Sequence, residues 1–407
     1  MLLHQSRRVR IGLLASLALL SVIASARGDD APRNLAEMKA KYEADTEADR
    51  AKYKDIAEAH RPKALDEYWA MTRATAHRAF DYVRAHPDAP DSIDTITWTA
   101  EEMVGGYYPQ YADEFAEAYK LLLDRGLDSD KVARATYYTY LVANACPEAK
   151  QFLEAALERS KSRVIRGTAR LALARTDHQL ANLARLVRDP IGGTQFVDRY
   201  SKLDPKYLAE IKAADADAAD RRAEVMFEHV MAEYADVRMP QPNRQEPLGE
   251  LAKGELYALR HLAVGKVAPD IVGEDVRGGP IRLGDYRGKV VAVVFWATWC
   301  GPCMGEVPNE RKLVAKMAGR PFALIGIDGD DDREAAKKAI SEQNMTWPSV
   351  WNGGMNGGIV ADWGVRSWPT VYVLDGRGVI RYQTLRGELL ERAVEHLVAE
   401  AEANQAK

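Results

Sequence analysis

Two cysteines separated by two residues are the part of this chain best suited to chemistry. Cys300-Gly301-Pro302-Cys303 follows five β-formers, Val290, Val291 and Val293 to Phe295, so the first cysteine is predicted where a buried strand ends and a helix begins. Unpaired backbone N–H groups and the positive end of the helix dipole lower the pKa of a thiol at that position. We therefore expect Cys300 to be an accessible nucleophile. Cys303, one turn later, is expected to attack the mixed disulfide that Cys300 forms.

Two simpler interpretations of the cysteine pair are a zinc site and a structural disulfide. The chain has only three cysteines, and no pair of histidines at ligand spacing lies nearby to complete a tetrahedral site. A disulfide between such close positions removes little chain entropy. A redox role is therefore favoured, and no metal or other cofactor is expected. The third cysteine, Cys146, precedes Pro147 near the end of an apolar helix and is predicted to be a small buried hydrophobe.

Length and charge limit the class of protein. A chain of 407 residues is too long for one hydrophobic core and predicts two domains. The formal net charge is −4, and no strongly basic patch follows the extreme N-terminus. Nucleic acid is therefore not expected as a partner.

The first 26 residues have the pattern of a signal peptide. Three arginines lie within residues 7–10, an apolar run covers residues 11–23, and Ala24–Ala26 is a small-residue cleavage signal. The apolar run is short for a bilayer span, which favours cleavage over a retained anchor. We expect an exported protein, either periplasmic or on the outer face of the cytoplasmic membrane. Disulfides persist there, and a single vicinal pair of cysteines is more typical of catalysis than of a disulfide framework.

Residues 31–260 predict a helical domain. Apolar residues recur at helical spacing and almost no strand pattern interrupts them. Short connections between the helices indicate antiparallel neighbours in an array or bundle. The predicted helices include Lys131–Ala145, Pro147–Arg159, Arg163–Arg175, Asp177–Val187, Tyr207–Tyr234 and Leu248–Leu262.

Residues 264–407 change to short strands and helices in alternation, which predicts an α/β domain with a central mixed sheet. Strands are predicted over Lys289–Ala297, Ala323–Asp328, Val371–Leu374 and Val379–Tyr382, and helices over Pro302–Lys316, Arg333–Glu342 and Glu388–Ala403. A run of acidic residues, Asp328 and Asp330 to Asp332, lacks the glycine and glutamate of a calcium loop. We interpret it as a strand exit and a helix N-cap.

Several separated motifs of this domain resemble one family. Val264–Asp270, Leu283–Lys289, Phe295–Cys303 and Trp368–Thr370 look like the TlpA and ResA type of thioredoxin-like thiol-disulfide oxidoreductase, within the redoxin and AhpC/TSA grouping. The resemblance covers about a third of the chain, and the helical part looks similar to N-terminal extensions of some members. It implies a thioredoxin-like fold for residues 264–407.

The resemblance also assigns site residues. Pro369 corresponds to the family's cis-proline beside the cysteine pair, and Trp368 would border the substrate groove. The residues next to the cysteines, Trp299, Gly301 and Pro302, would form the rest of that groove.

The resemblance brings an acid–base hypothesis as well. Thioredoxin has a buried aspartate six residues before its first cysteine, where this chain has Val294. Glu306 matches the acidic residue of the TlpA and ResA type. A buried carboxyl with a raised pKa at Glu306 could exchange a proton with the thiols, and a solvated helix glutamate is the alternative.

The expected function is reduction of disulfides in proteins or small molecules by the Cys300/Cys303 dithiol. Because no flavin or nicotinamide motif is visible, a membrane electron donor is expected to reduce the dithiol again. One alternative is a thiol peroxidase of the AhpC/TSA type. That pattern has a proline and a hydroxyl residue before the reactive cysteine, and here Thr298 has no such proline. Another alternative is a helical interaction protein with a redox-silent thioredoxin fold.

Overall fold

The computed structural model describes residues 34–54, 61–104, 111–238, 246–355 and 357–405. The predicted signal peptide, residues 1–26, lies outside the described residues. In the described part no helix is long and apolar enough to cross a membrane. The chain divides into two compact units, Met1–Ala172 and Leu173–Lys407. The boundary predicted near Gly265 lies inside the second unit, and it stays a prediction.

The described part of the first unit is helical. Its helices are α1 (Leu35–Lys54), α2 (Arg61–Ala85), α3 (Ser92–Val104), α4 (Ala112–Arg125), α5 (Ala133–Tyr138), α6 (Tyr140–Ala143), α7 (Pro147–Arg159) and the first part of α8 (Arg163–Leu186). Large aromatic side chains fill the core, because Phe80, Phe115, Tyr119 and Phe152 are almost fully buried. The predicted helix Pro147–Arg159 has the predicted bounds, with Pro147 in its first turn.

The second unit contains the rest of α8, four more helices and the α/β part of the chain. The four helices are α9 (Thr194–Leu203), α10 (Pro205–Ala213), α11 (Ala216–Glu233) and α12 (Leu248–Tyr257), which continues as a π-helical turn over Ala258–Leu262.

The central sheet has five strands in the order β5-β4-β3-β6-β7. They are β3 (Val290–Trp296), β4 (Phe322–Asp328), β5 (Ser349–Trp351), β6 (Thr370–Leu374) and β7 (Ile380–Gln383), preceded by a separate hairpin of β1 (Val272–Glu274) and β2 (Pro280–Arg282). Strands β3, β4 and β5 are parallel, whereas β6 and β7 are antiparallel to their neighbours. The predicted mixed sheet is confirmed.

Helices cover this sheet on both faces. They are α13 (Gly301–Lys316), α14 (Arg333–Glu342), α15 (Gly358–Asp362) and α16 (Gly387–Gln405). All seven residues of β3 are buried, as expected of a central strand with both faces covered. One face packs with α13, α14 and α16, and the other packs with α15 and the hairpin. The predicted combination of helical N-terminal residues and a C-terminal α/β fold is confirmed.

Four helix predictions are wrong in their bounds. Arg163–Arg175 and Asp177–Val187 form one helix, α8, because no glycine or proline between them interrupts its backbone hydrogen bonds. Lys131–Ala145 is broken into short pieces, and Thr136 and Thr139 there bond back to carbonyl oxygens four residues earlier. Tyr207–Tyr234 is two helices, α10 and α11.

Candidate active site

The cysteine pair lies where β3 passes into α13. Cys300 is the N-cap residue of α13 and has an extended backbone, and Pro302 lies in the first turn. The Sγ atom of Cys300 accepts a hydrogen bond from the backbone N–H of Cys303 at 3.1 Å. The sulfur therefore lies against the unpaired N–H groups and the positive end of the helix dipole, an environment that stabilises a thiolate.

The two cysteines form a disulfide in this structure. Their sulfurs are 2.01 Å apart and their Cα atoms 5.3 Å apart. Cys303 lies one helical turn after Cys300, so both sulfurs face the same side of α13.

The expected accessibility of Cys300 is not found in this oxidised state. Cys300 is 5% exposed and Cys303 is 2% exposed, so both are buried. The reason is packing, because both cysteines belong to the hydrophobic cluster between the sheet and its helices. Exposure is found instead at the neighbouring residues Trp299, Gly301 and Pro302.

The proline loop lies at the same edge of the sheet. The Trp368–Pro369 peptide bond is cis, as predicted. Thr370 pairs with Phe295 of β3, which brings the loop beside the segment that leads to the cysteines. The backbone carbonyl of Pro369 accepts a hydrogen bond from Nη2 of Arg386 at 2.9 Å.

Two tryptophans connect the cysteine segment with the proline loop. The rings of Trp299 and Trp368 meet edge to face with centroids 5.4 Å apart. Trp299 is 52% exposed, whereas Trp368 is partly buried. The predicted groove residues Trp299 and Trp368 are therefore brought together, and they form an aromatic surface next to the disulfide.

Glu306 is not the buried carboxyl that the hypothesis required. It is half-buried on α13, and its Oε2 atom accepts hydrogen bonds from Nδ2 of Asn309 at 3.2 Å and from the backbone N–H of Gly387 at 3.1 Å. The bond from Gly387 connects α13 with the start of α16. A polar surface remains around Glu306 because α16 begins there and leaves the side chain partly open to solvent.

The buried carboxyl on the same helix is Glu310, which the sequence analysis missed. Glu310 is 6% exposed, and burial, with a smaller contribution from the charge of Glu306, raises its pKa to about 8. The missed signal is its spacing, because Cys303, Val307 and Glu310 share one face of the helix. An acidic residue on that face must enter the core.

The acidic run after β4 has the predicted structural roles. Strand β4 ends at Asp328, and the side chain of Asp332 accepts a hydrogen bond from the backbone N–H of Glu334 at 2.9 Å at the start of α14. In the part of the chain that the structure describes, no group of three His, Cys, Asp or Glu side chains could hold a metal ion. Asp328 and Asp330 are buried, and the sequence analysis gave no signal for that.

A parallel and antiparallel mixed sheet, a disulfide at the N-terminus of a helix and a cis-proline loop at the same sheet edge together define a thioredoxin-like oxidoreductase. The AhpC/TSA family model matches residues 264–383. The thiol-disulfide oxidoreductase ResA of Bacillus thuringiensis is 32% identical over 145 residues, which are 36% of this chain and 82% of ResA. The thioredoxin-like protein YneN of Bacillus subtilis is 34% identical over 132 residues, 31% of this chain and 75% of YneN.

Among solved structures, the thioredoxin domain of a thiol-disulfide oxidoreductase from Bacteroides vulgatus is 32% identical, with a TM-score of 0.32. The matched region covers 33% of this chain and 98% of that domain. On the similarity to ResA, the chain belongs to the ResA and TlpA type of redoxin within the AhpC/TSA family, and it is a thiol-disulfide oxidoreductase.

Proposed function

We propose that this chain is an exported reductase of disulfides and that Cys300 and Cys303 are its redox-active residues. The observation that carries the proposal is the Cys300–Cys303 disulfide at the N-terminus of α13, with the Cys303 N–H directed at the Cys300 sulfur. The same hydrogen bond and the helix dipole favour a thiolate at Cys300 after reduction.

The proposed reaction has two exchange steps. The Cys300 thiolate attacks one sulfur of a substrate disulfide, which forms a mixed disulfide and releases the other substrate sulfur as a thiolate. The Cys303 thiolate then attacks the Cys300 sulfur, which restores the Cys300–Cys303 disulfide and releases the second substrate thiolate. The substrate gains two electrons and, after protonation, two protons, and the enzyme dithiol loses them.

Glu306 is the proposed acceptor of the Cys303 proton. It lies three residues after Cys303, on the adjoining turn of α13, and keeps partial contact with solvent. A carboxylate there can exchange protons with both the thiol and water. Trp299, Gly301, Pro302, Trp368 and Pro369 are the proposed groove that binds the substrate segment.

Two partners follow from this proposal. The first is a protein or small molecule that carries a disulfide. The second is a membrane electron donor, because the enzyme must be reduced after each turnover and an oxidising compartment contains little free reductant. The Gly-Pro dipeptide between the cysteines favours the reducing direction.

The peroxidase alternative has less support. A thiol peroxidase needs a hydroxyl group directed at its reactive cysteine, but the Oγ1 atom of Thr298 donates to Oδ1 of Asp330 at 2.7 Å. Peroxide turnover in the presence of a dithiol donor remains the direct comparison between the two activities.

Variants of the cysteines test the proposal. Cys303→Ser should accumulate a mixed disulfide with substrate because the second exchange step is lost, and Cys300→Ser should lose turnover. Non-reducing electrophoresis and mass spectrometry detect the adduct, with Cys146→Ser as the matched control. The reduction potential of the Cys300/Cys303 couple, measured in the unchanged protein and in Cys146→Ser, reports the direction, because a value near about −270 mV indicates a reductant and one near about −120 mV an oxidant. If loss of either cysteine had no effect on the protein's function, a helical interaction protein with a redox-silent thioredoxin fold would be the remaining interpretation.

A further inference from the structure

The loop that leads to the cysteines is held by one buried carboxylate. Oδ2 of Asp330 accepts the backbone N–H of Thr298 at 2.9 Å, and Oδ1 accepts the Thr298 hydroxyl at 2.7 Å. Asp330 is 4% exposed, and Thr298 lies two residues before Cys300. Two bonds to one carboxylate fix both the backbone and the side chain of Thr298, so Asp330 determines how the chain approaches Cys300.

A second carboxyl supports the first. Asp328 ends β4, opposite Trp296 of β3. It is fully buried, and its Oδ1 atom accepts the backbone N–H of Asp330 at 3.3 Å. Burial, followed by a hydrogen bond and the charge of Asp330, raises the pKa of Asp328 to about 8. Near neutral pH the protonated form of Asp328 is therefore favoured over its carboxylate.

The segment between these carboxyls also contacts the proline loop. A Cβ atom on Gly329 would lie 2.3 Å from Cη2 of Trp368, so the Trp368 ring rests directly on the backbone there. On the other side, Nε1 of Trp351 donates to the backbone carbonyl of Asp330 at 3.3 Å. Residues 328–330 thus contact the cysteine segment and the proline loop at once, and only glycine fits at position 329.

The surroundings of Asp328 and Asp330 are unusually polar for a protein core. In the described part of the chain, three fully buried polar atoms around it have no hydrogen-bond partner: Nε1 of Trp296, Oδ2 of Asp328 and Oγ of Ser349. Two of them flank Gly326, where a Cβ atom would lie 2.8 Å from the Trp296 nitrogen and 2.3 Å from the Ser349 oxygen. Buried polar atoms without partners reduce stability, so their position beside the cysteine loop indicates a functional role.

Other charged groups on the neighbouring elements have their own partners. Asp275, after β1, accepts the backbone N–H of Ser349 and pairs with Arg277, while Arg333 of α14 pairs with Glu274. On the cysteine helix, the carboxyls are Glu306 and Glu310. Among these, Asp330 is the charge that acts on Asp328.

We propose that Asp330 is a positioning residue for the loop that carries Cys300, and that Asp328 makes this support depend on a proton. The inference rests on the proposed role of Cys300 as the nucleophile. Asp330 holds Thr298 through its two hydrogen bonds while Asp328 is protonated. When Asp328 loses its proton, a negative charge is added beside Asp330, which weakens this support and opposes formation of the Cys300 thiolate.

The side chain of Thr298 gives the first test. Thr298→Val removes the hydroxyl that Asp330 binds, and Thr298→Ser keeps it. In the full chain, Thr298→Val should lower kcat for a disulfide substrate about tenfold with little change in KM, and Thr298→Ser should restore it. Equal kcat values in the two variants would overturn the positioning role. Both variants retain the buried carboxyls and the backbone N–H of Thr298, so Asp330 keeps its hydrogen bond to the Thr298 backbone in each.

The pH profile gives the second test. The alkylation rate of Cys300 in the reduced protein, measured between about pH 5 and pH 10, should show the ionisation of Cys300 and a second ionisation near pH 8 that slows the reaction. Asp328→Asn should remove the second ionisation, whereas Asp332→Asn, which keeps a helix cap and removes an exposed charge nearby, should not.

The outcomes separate this inference from the proposed function. If the second ionisation persists in Asp328→Asn, or disappears in Glu310→Gln instead, the role of Asp328 is wrong while Cys300 can still be the nucleophile. If Cys300→Ser retains turnover, the proposed function itself fails.

Discussion

Glu310 is a buried acid on the helix that carries the cysteines, and its burial has a consequence for stability. In the folded protein its pKa is about 8, compared with an ordinary value of 4.5. Between these values the folded chain holds a proton that the unfolded chain releases. Because the folded state binds more protons, the free energy of unfolding falls as the pH rises through this window.

Glu310→Gln should remove this dependence. Between about pH 5 and pH 8, the slope of the unfolding free energy against pH should become less steep by about 1.4 kcal/mol per pH unit. Denaturant unfolding at several pH values measures the slope. Glu342→Gln, an exposed glutamate on α14, is the control and should leave the slope as it is in the unchanged protein. An identical slope for Glu310→Gln would mean that Glu310 is ionised in the folded state.

At the scale of single residues, the sequence predicts those features that a short motif of neighbouring residues determines. The cysteine pair and the cis peptide bond at Pro369 follow from motifs of a few residues. Glu310, Asp328 and Asp330 could not be identified in the same way, because their burial depends on how α13 and β4 pack. Glu306 shows the same limit, since its match to the family pattern did not predict that α16 would leave it half-buried.

At the scale of elements, the cysteine helix contains a glycine without an evident structural purpose. Gly305 is exposed in the interior of α13, and a Cβ atom there would meet no other atom within 4 Å. Glycine in a helix interior costs conformational entropy relative to alanine. Gly326 of β4 is the opposite case, because its missing side chain leaves room for Trp296 and Ser349.

Gly305→Ala should therefore raise the free energy of unfolding by about 0.5–1 kcal/mol. Gly326→Ala should lower it by about 1–3 kcal/mol, since the new methyl group would overlap side chains in the sheet core. Chemical denaturation of both variants measures the difference. A loss of stability in Gly305→Ala would show that α13 needs flexibility at this position in order to fold.

Elements with a strong pattern could be predicted and short ones could not. Strands β3 and β4 have seven residues each, and the predicted bounds differ from the observed ones by one residue at both ends of β3 and at the first end of β4. Strands β1, β2 and β5 have three residues each, too few for a recognisable alternation of burial. Strand β5 forms because β4 offers it backbone partners, and β1 and β2 form because they pair with each other.

At the scale of the whole molecule, the helical residues before the family region take part in the core of the second unit. Ile191 belongs to the cluster that contains both cysteines, and Leu262 belongs to the cluster on the other sheet face. The side-chain amide of Gln383 in β7 donates to the backbone carbonyl of Leu262. The thioredoxin-like region therefore shares buried contacts with residues outside the family match.

These contacts predict the behaviour of two fragments. A fragment of residues 264–407 lacks Ile191 and Leu262 and should unfold at a lower denaturant concentration than a fragment of residues 187–407, which retains both. Urea unfolding followed by circular dichroism compares them. Equal midpoints would support the boundary predicted near Gly265 as the limit of an independent domain.

Cys146 is a buried free thiol in the first unit, and burial raises its pKa to about 11. A thiol in this state is almost entirely protonated near neutral pH and reacts slowly with alkylating reagents and disulfides. A fast-reacting sulfhydryl in the native, reduced protein is therefore assigned to Cys300 at the helix N-terminus and not to Cys146. Cys146 should react rapidly only when the protein is denatured. Its alkylation therefore measures the unfolded fraction of a preparation, separately from the redox state of the Cys300/Cys303 pair.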